Sequence, residues 1–244
     1  MWRDVKVRYK QTYVGAAWAI IQPFVTMIVF TLFFNKVAKI DSGSAVPYAI
    51  FSYTGLLFWN YFSGTIATVS SSLVGNAGVI TKIYFPRIII PISSILLGVV
   101  DLFFAAIMFV VLMVYFKIAP SATGILMLFP MLLLTMAVSF GGGIFFAALN
   151  VRYRDVRGAV GFLTQILLFL TPIIYPISKV PPRFRELVYL NPMTAVVTTM
   201  RATLIHSGTI DWFGLAISTT TAILSVFIGV WYFRSVERNF ADII

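Results

Sequence analysis

The chain has 244 residues, 60% of them hydrophobic and 11% charged, and its mean hydropathy is +0.96. Soluble domains average roughly 25% charged residues, so a soluble globular fold is excluded; disorder is excluded as well, because the apolar content is far too high. With 18 Lys+Arg against 8 Asp+Glu the net charge is +10, and in so apolar a chain those cations belong at membrane interfaces rather than on nucleic acid, since no basic run escapes the apolar segments. The chain has no cysteine and one histidine, His206, so it has no disulfide or thiolate chemistry and no basis for a zinc or other metal site. An all-α integral membrane protein, a single transmembrane domain over 1–244, is the class that remains.

The N-terminal stretch 1–15 reads as an amphipathic interface helix. At 100° per residue, Trp2, Val5, Tyr9 and Tyr13 fall within an arc of about 80°, with Arg3, Lys6 and Lys10 along one edge and Arg8 along the other. Such a helix lies in the interface, rings down. It is either a topology anchor or a docking surface for a cytoplasmic partner or for lipid headgroups.

Six apolar segments reach spanning length: 17–34, 49–74, 88–116, 125–149, 159–177 and 213–233. The first is too long for a cleavable signal and no small-residue cleavage site follows it. Six spans place both termini on one side. That side collects eleven of the eighteen basic residues, so the positive-inside rule predicts cytoplasmic termini.

Aromatic residues mark these spans: Trp18, Phe30, Phe33 and Phe34 on the first, Trp59 and Phe62 on the second, Phe162, Phe169 and Tyr175 on the fifth. They are lipid-facing bulk and interfacial belts, or they wall a passage, because aromatic faces pack against the C–H faces of sugars. The third span carries one acid, Asp101. A charge at that depth is costly, so Asp101 is either structurally hydrogen-bonded or part of a transport path. Ser139, Gly143 and Ala147 form a small-residue ladder on the fourth span, suited to close helix packing. The neighbouring triple glycine lacks the Lys-Ser/Thr of a phosphate loop.

Three connections are more than simple loops. The segment 75–87 (GNAGVITKIYFPR) predicts a short helix over 79–84, stopped by Pro86; it is an ordinary connection or a lever moved by another subunit. The loop 150–158 (NVRYRDVRG) holds Arg152, Arg154, Asp155 and Arg157; it is either a topology signal or a contact for an acidic partner surface, and the two readings do not exclude each other. Pro172 and Pro176 interrupt the fifth span. Asn191 followed by Pro192 starts a helix predicted over 192–207, with Gly208 as its stop. Sixteen residues at 1.5 Å give about 24 Å, short of a full span. Its apolar face is Met193, Val196, Val197, Met200, Leu204 and Ile205. The stretch 178–212 is therefore expected as a re-entrant hairpin at the outer face, and non-helical backbone at that depth favours a pore mouth over a lipid-facing loop.

Four stretches carry a resemblance in their order and spacing: WRDVKVRYKQTYVGAAWAIIQPF, KIYFPR, LNVRYRDVRG, and LTPIIYP followed by YLNPMTAVV. Together they resemble the type-2 ABC exporter permeases that move polysaccharides, of the O-antigen (Wzm) type and related to the teichoic-acid (TarG) and capsule (KpsM) permeases. Members of that group commonly carry residues before the WRD motif, which here follows Met1 directly.

The resemblance implies a homodimeric permease in the bacterial inner membrane, exporting a lipid-linked polysaccharide. Two separate ATP-binding-cassette subunits would carry ATP and Mg. It also implies roles for particular residues. Coupling to the ATPase falls to Arg3, Lys6 and Arg8 on the interface helix, to Lys82, Ile83, Tyr84, Phe85 and Arg87 in the coupling loop, and to Arg152, Arg154 and Asp155. The aromatics named above would line the channel. Pro172, Pro176, Asn191, Pro192, Met193 and Arg201 would belong to an outer gate. The competing expectations are a permease for a small drug or lipid, and an integral-membrane transferase, for which one His and one intramembrane acid are a meagre catalytic set.

Overall fold

A computed structural model describes residues 17–80, 85–153 and 155–237. The described residues are helical, with no strand among them. Helix α1 (Ala17–Phe30) continues into a π-helical turn, Thr31–Val37, and contains Pro23. There follow α2 (Tyr48–Gly75), the short α3 (Ala77–Ile80), α4 (Ile89–Tyr115), α5 (Ala122–Arg152) and α6 (Val156–Leu170). A 3-10 turn, Ile177–Lys179, leads to α7 (Pro182–Tyr189), α8 (Pro192–Leu204) and α9 (Trp212–Val236). Side-chain caps start three of these helices. Ser121 accepts from the Gly124 amide at 2.9 Å, Asn191 from Met193 at 3.1 Å and Asp211 from Gly214 at 2.9 Å. Each satisfies an amide that the first helical turn leaves free.

Four described helices are long and apolar enough to cross a membrane: Ala17–Val37, Ile89–Tyr115, Ala122–Arg152 and Trp212–Val236. The expected second and fifth spans differ from these in instructive ways. Helix α2 has 28 residues but mixes Tyr, Asn, Ser and Thr among its apolar side chains. It is central, packed by α1, α4, α5, α6 and α8, so its surface meets protein and need not be lipophilic. Helix α6 has 15 residues and stops at Leu170, ahead of Pro172, so it is shorter than the apolar run that contains it.

The core runs along α2. Ile50, Phe51, Tyr53, Leu56 and Phe58 of α2 meet Phe109 and Met113 of α4, Met131 and Leu134 of α5, and Val196, Val197 and Met200 of α8. Tyr53 stacks on Phe109 with ring centroids 6.2 Å apart, and donates its hydroxyl to the Ala105 carbonyl at 2.9 Å. The small-residue ladder serves this packing: Ser139, Gly143 and Ala147 are buried, and a Cβ at Gly143 would lie 2.6 Å from Val69 of α2.

On its other side α5 crosses α9 at near backbone contact. A Cβ at Gly141 would lie 2.5 Å from the Ser225 carbonyl carbon and the Val226 nitrogen, and one at Gly229 would strike the Gly141 carbonyl. Two glycines are thus what lets these helices approach so closely.

Candidate functional site

The helix break after α6 is the most elaborate local structure. Thr171, Pro172, Ile173 and Ile174 are non-helical and buried. Backbone carbonyls buried without partners are costly, and at membrane depth no water relieves them. Here three of them have side-chain donors from two elements, α8 and α2. Arg201 of α8 donates Nη2 to the Ile173 carbonyl at 2.6 Å and Nη1 to the Pro172 carbonyl; its Nε reaches the Phe51 carbonyl of α2 at 3.0 Å. Tyr48 donates its hydroxyl to Ile174 O at 2.7 Å. Asn191 Nδ2 binds Thr171 Oγ1 at 2.7 Å, while that hydroxyl donates to the Leu167 carbonyl at 2.6 Å. Tyr175 donates to the Leu170 carbonyl at 3.1 Å, covering the α6 C-terminus.

Arg201 is 2% exposed, and its guanidinium carbon lies 3.5 Å from the centroid of the Phe51 ring. No carboxylate pairs with it among the described residues. Three carbonyl dipoles and a ring face take the place of a counter-ion. A guanidinium remains cationic at neutral pH. Gly55 makes room: a Cβ there would lie 2.9 Å from Arg201 Nη2 and 3.3 Å from Ile173 and Val197.

The expected outer-gate residues therefore converge. Pro172, Pro176, Pro192, Met193 and Arg201 are all buried, and Asn191 caps α8. The break Thr171–Ile174, which precedes the expected hairpin 178–212, is enclosed by protein. Helix α8 also ends earlier than expected, at Leu204, because the chain turns left-handed at His206 (φ 56°) before Gly208 (φ 102°). Beside the break, Tyr175 lines a cavity of about 500 Å³ with Leu170, Val188, Lys39 and Lys179.

The expected channel aromatics divide into two sets. Trp18, Phe33, Phe162 and Phe169 are exposed, at 60, 61, 65 and 54%, and Tyr175 and Phe34 are half-buried. Phe30, Trp59 and Phe62 are buried among this chain's own helices. Trp59 packs on Phe62 at 5.2 Å, and Phe30 meets Phe34 edge-on at 5.3 Å. The structure thus exposes rings on α1, on the turn that follows it and on α6, and buries the other three. Asp101 is half-buried on α4.

Of the expected coupling residues, Arg3, Lys6, Arg8, Lys82, Ile83, Tyr84 and Arg154 lie outside the described residues, as does the interface helix 1–15. Helix α3 covers 79 and 80 of the predicted 79–84 helix, and 81–84 lie outside the described residues. Phe85 and Arg87 are half-buried; Arg152 and Asp155 are exposed. Arg87 donates to the Glu237 carbonyl at the end of α9, a partner that nothing in the local sequence signals. At the same end Asn150 Nδ2 donates to the Ser70 carbonyl at 3.0 Å, tying α5 to α2. Among the described residues no three His, Cys, Asp or Glu side chains gather in a way that would hold a metal ion.

Residues 1–205 match the family described as ABC-2 type transporter. The chain is similar to an O-antigen export system permease protein, RfbA, of Klebsiella pneumoniae, 26% identical over 244 residues and covering 99% of this chain and 92% of that protein. The RfbA protein of Myxococcus xanthus is 25% identical over 248 residues, covering 98% and 92%. The polysialic acid transport protein KpsM of Escherichia coli is 21% identical over 244 residues, covering 97% and 91%. With a family match over most of its length and several apolar spanning helices, the chain is a multi-pass membrane protein that belongs to the ABC-2 type transporter family.

Proposed function

We propose that this chain is the permease subunit of an exporter that moves lipid-linked polysaccharide of the O-antigen type across the bacterial inner membrane. ATP and Mg are bound on a separate subunit, whose hydrolysis drives transport. The observation that carries this reading is the similarity to O-antigen export permeases along nearly the whole chain.

Two copies form the pore, each using six spans, with α2 and α6 as the two that composition or length alone understates. Both termini are cytoplasmic. The 1–15 helix, the 75–87 loop and the 150–158 loop meet two ATP-binding-cassette subunits and surrounding lipid. The passage runs between copies along α1 and α6, whose exposed rings Trp18, Phe33, Phe162 and Phe169, with Tyr175, present flat faces to sugar C–H surfaces. Phe30, Trp59 and Phe62 support that wall from inside the protomer. The hairpin 178–212 closes the outer end. Weak, repeated ring contacts suit a polymer that slides, since a tight site would halt it.

Capsule polysaccharide is the second reading, favoured by the similarity to the polysialic acid transport protein. Deleting the gene tests both. Lipid-linked glycan is expected to build up on the cytoplasmic side, and its composition tells O-antigen from capsule or teichoic acid. A deletion strain with normal surface glycan and no internal accumulation argues for a small-molecule or lipid permease.

A further inference from the structure

Helix α8 is short, lies in a hairpin and starts at a proline, as a swinging gate would. Its contacts are those of a fixed part. Eleven of its thirteen residues are buried. Asn191 binds the break through Thr171, and Arg201 binds the break and α2 through three carbonyls. Ser121, at the start of α5, donates to the Thr203 carbonyl at 2.6 Å. A Cβ at Gly124 would also lie 2.6 Å from the Thr203 carbonyl oxygen, so α5 and α8 have no slack. Helices α1 and α6, which flank the proposed passage, bury far less within this chain: α6 has one buried residue of fifteen, and α1 has three of fourteen.

We propose that Arg201 is a positioning residue that staples α8, the Thr171–Ile174 break and α2 into one fixed cap, so that the passage opens by movement of α1 and α6 and not by swinging of the hairpin. The part about opening rests on the export reading above; the staple does not. Arg201 reaches all three carbonyls only while α2, α8 and the break stay in register. Displacing any one of them strands a buried cation or a buried carbonyl, and both are costly. The planar fork matters as much as the charge, because a lysine ammonium is a point donor that does not span three carbonyls on two elements.

The chain has no cysteine, so a paired substitution supplies the only thiols. Ser44, in the loop before α2, and Ser207, after α8, have Oγ atoms 3.0 Å apart. In membranes carrying the complete exporter, Ser44→Cys/Ser207→Cys is expected to form a disulfide rapidly on oxidation. Surface polymer is expected to stay within about twofold of the reduced protein, because a fixed cap is not the moving part. A larger fall that dithiothreitol reverses would overturn the fixed cap. Adding Arg201→Gln, or Arg201→Lys where the first is not recovered folded, is expected to slow disulfide formation severalfold; a folded variant that crosslinks at the unchanged rate would overturn the role of Arg201. If the unsubstituted chain restores no polymer to a deletion strain, it is the export reading that fails, and the crosslinking rates still decide the staple.

Discussion

Tyr48, in the first turn of α2, donates its hydroxyl to the Ile174 carbonyl at 2.7 Å, across 126 residues of sequence. The carbonyl belongs to a buried non-helical segment, so its other choices of partner are few. Tyr48→Phe removes the donor and little volume. It is expected to cost about 1 kcal/mol, the usual range for leaving one buried acceptor unmet. In detergent-purified protein that is a fall of about 2–4 °C in the unfolding midpoint. An unchanged midpoint would mean that the Ile174 carbonyl has found another donor.

The two sets of aromatics are expected to respond differently to truncation. Trp59→Ala and Phe62→Ala empty buried sites, at a cost of about 3–5 kcal/mol each. Their signature is less folded permease, with export falling in proportion. Phe162→Ala and Phe169→Ala remove exposed rings and leave the fold alone, so export per folded permease is expected to fall while protein level holds. Quantifying both by immunoblot and surface-glycan labelling separates the cases. Equal export per molecule in the α6 variants would remove those rings from the passage.

Gly141 and Gly229 set the distance between α5 and α9. Gly141→Val forces backbone apart, since the atoms it meets at 2.5 Å are main-chain atoms that have no rotamer to change. Overpacking of this kind costs about 1–3 kcal/mol or more. A reduced monodisperse fraction on size-exclusion chromatography is expected, whereas Gly64→Ala on α2, where nothing lies within 4 Å of the added carbon, is expected to be recovered normally. Full recovery of Gly141→Val would show that the helices cross less closely than the glycines imply.

Arg87 tethers the segment following α3 to the last turn of α9 through the Glu237 carbonyl. A lever between subunits needs such a tether to pass movement into the membrane. Arg87→Glu is expected to weaken co-purification of the ATP-binding subunit or to raise the ATP hydrolysed per polymer exported. Wild-type values for both quantities would remove the lever role from this residue.

Much of the fold was legible because spans are long apolar runs with local punctuation. The third span was expected over 88–116 and is found as Ile89–Tyr115; the Asn191–Pro192 pair marked the start of α8 correctly. Helix α2 was recognised from its length, but its central position was not, since nothing in one segment states how many neighbours it has. The end of α8 was missed because Gly208 looked like the stop, while the left-handed turn had already occurred at His206.

The resemblance assigns Arg201 to an outer gate but says nothing of what it binds. Its partners lie 28, 29 and 150 residues away, and only the tertiary fold brings them together. One signal was present. Arg201 falls four residues after Val197 and four before Ile205, inside the apolar stripe of its helix. A cation in that stripe must either break the helix face or find buried acceptors. The aromatics show the complementary limit: ring content was plain, but which rings face outward depends on how α2 is covered.

Reconstitution tests the export reading most directly. Sealed vesicles would carry this chain, its ATP-binding subunit and lipid-linked polysaccharide, oriented so that the polymer starts on the nucleotide side. Addition of Mg-ATP is expected to move the glycan to the opposite face, where it becomes resistant to an added glycosidase; omitting either subunit abolishes the change. Glycan that stays digestible with both subunits and ATP present, or ATP hydrolysis by this chain alone, would contradict a split-subunit polysaccharide exporter.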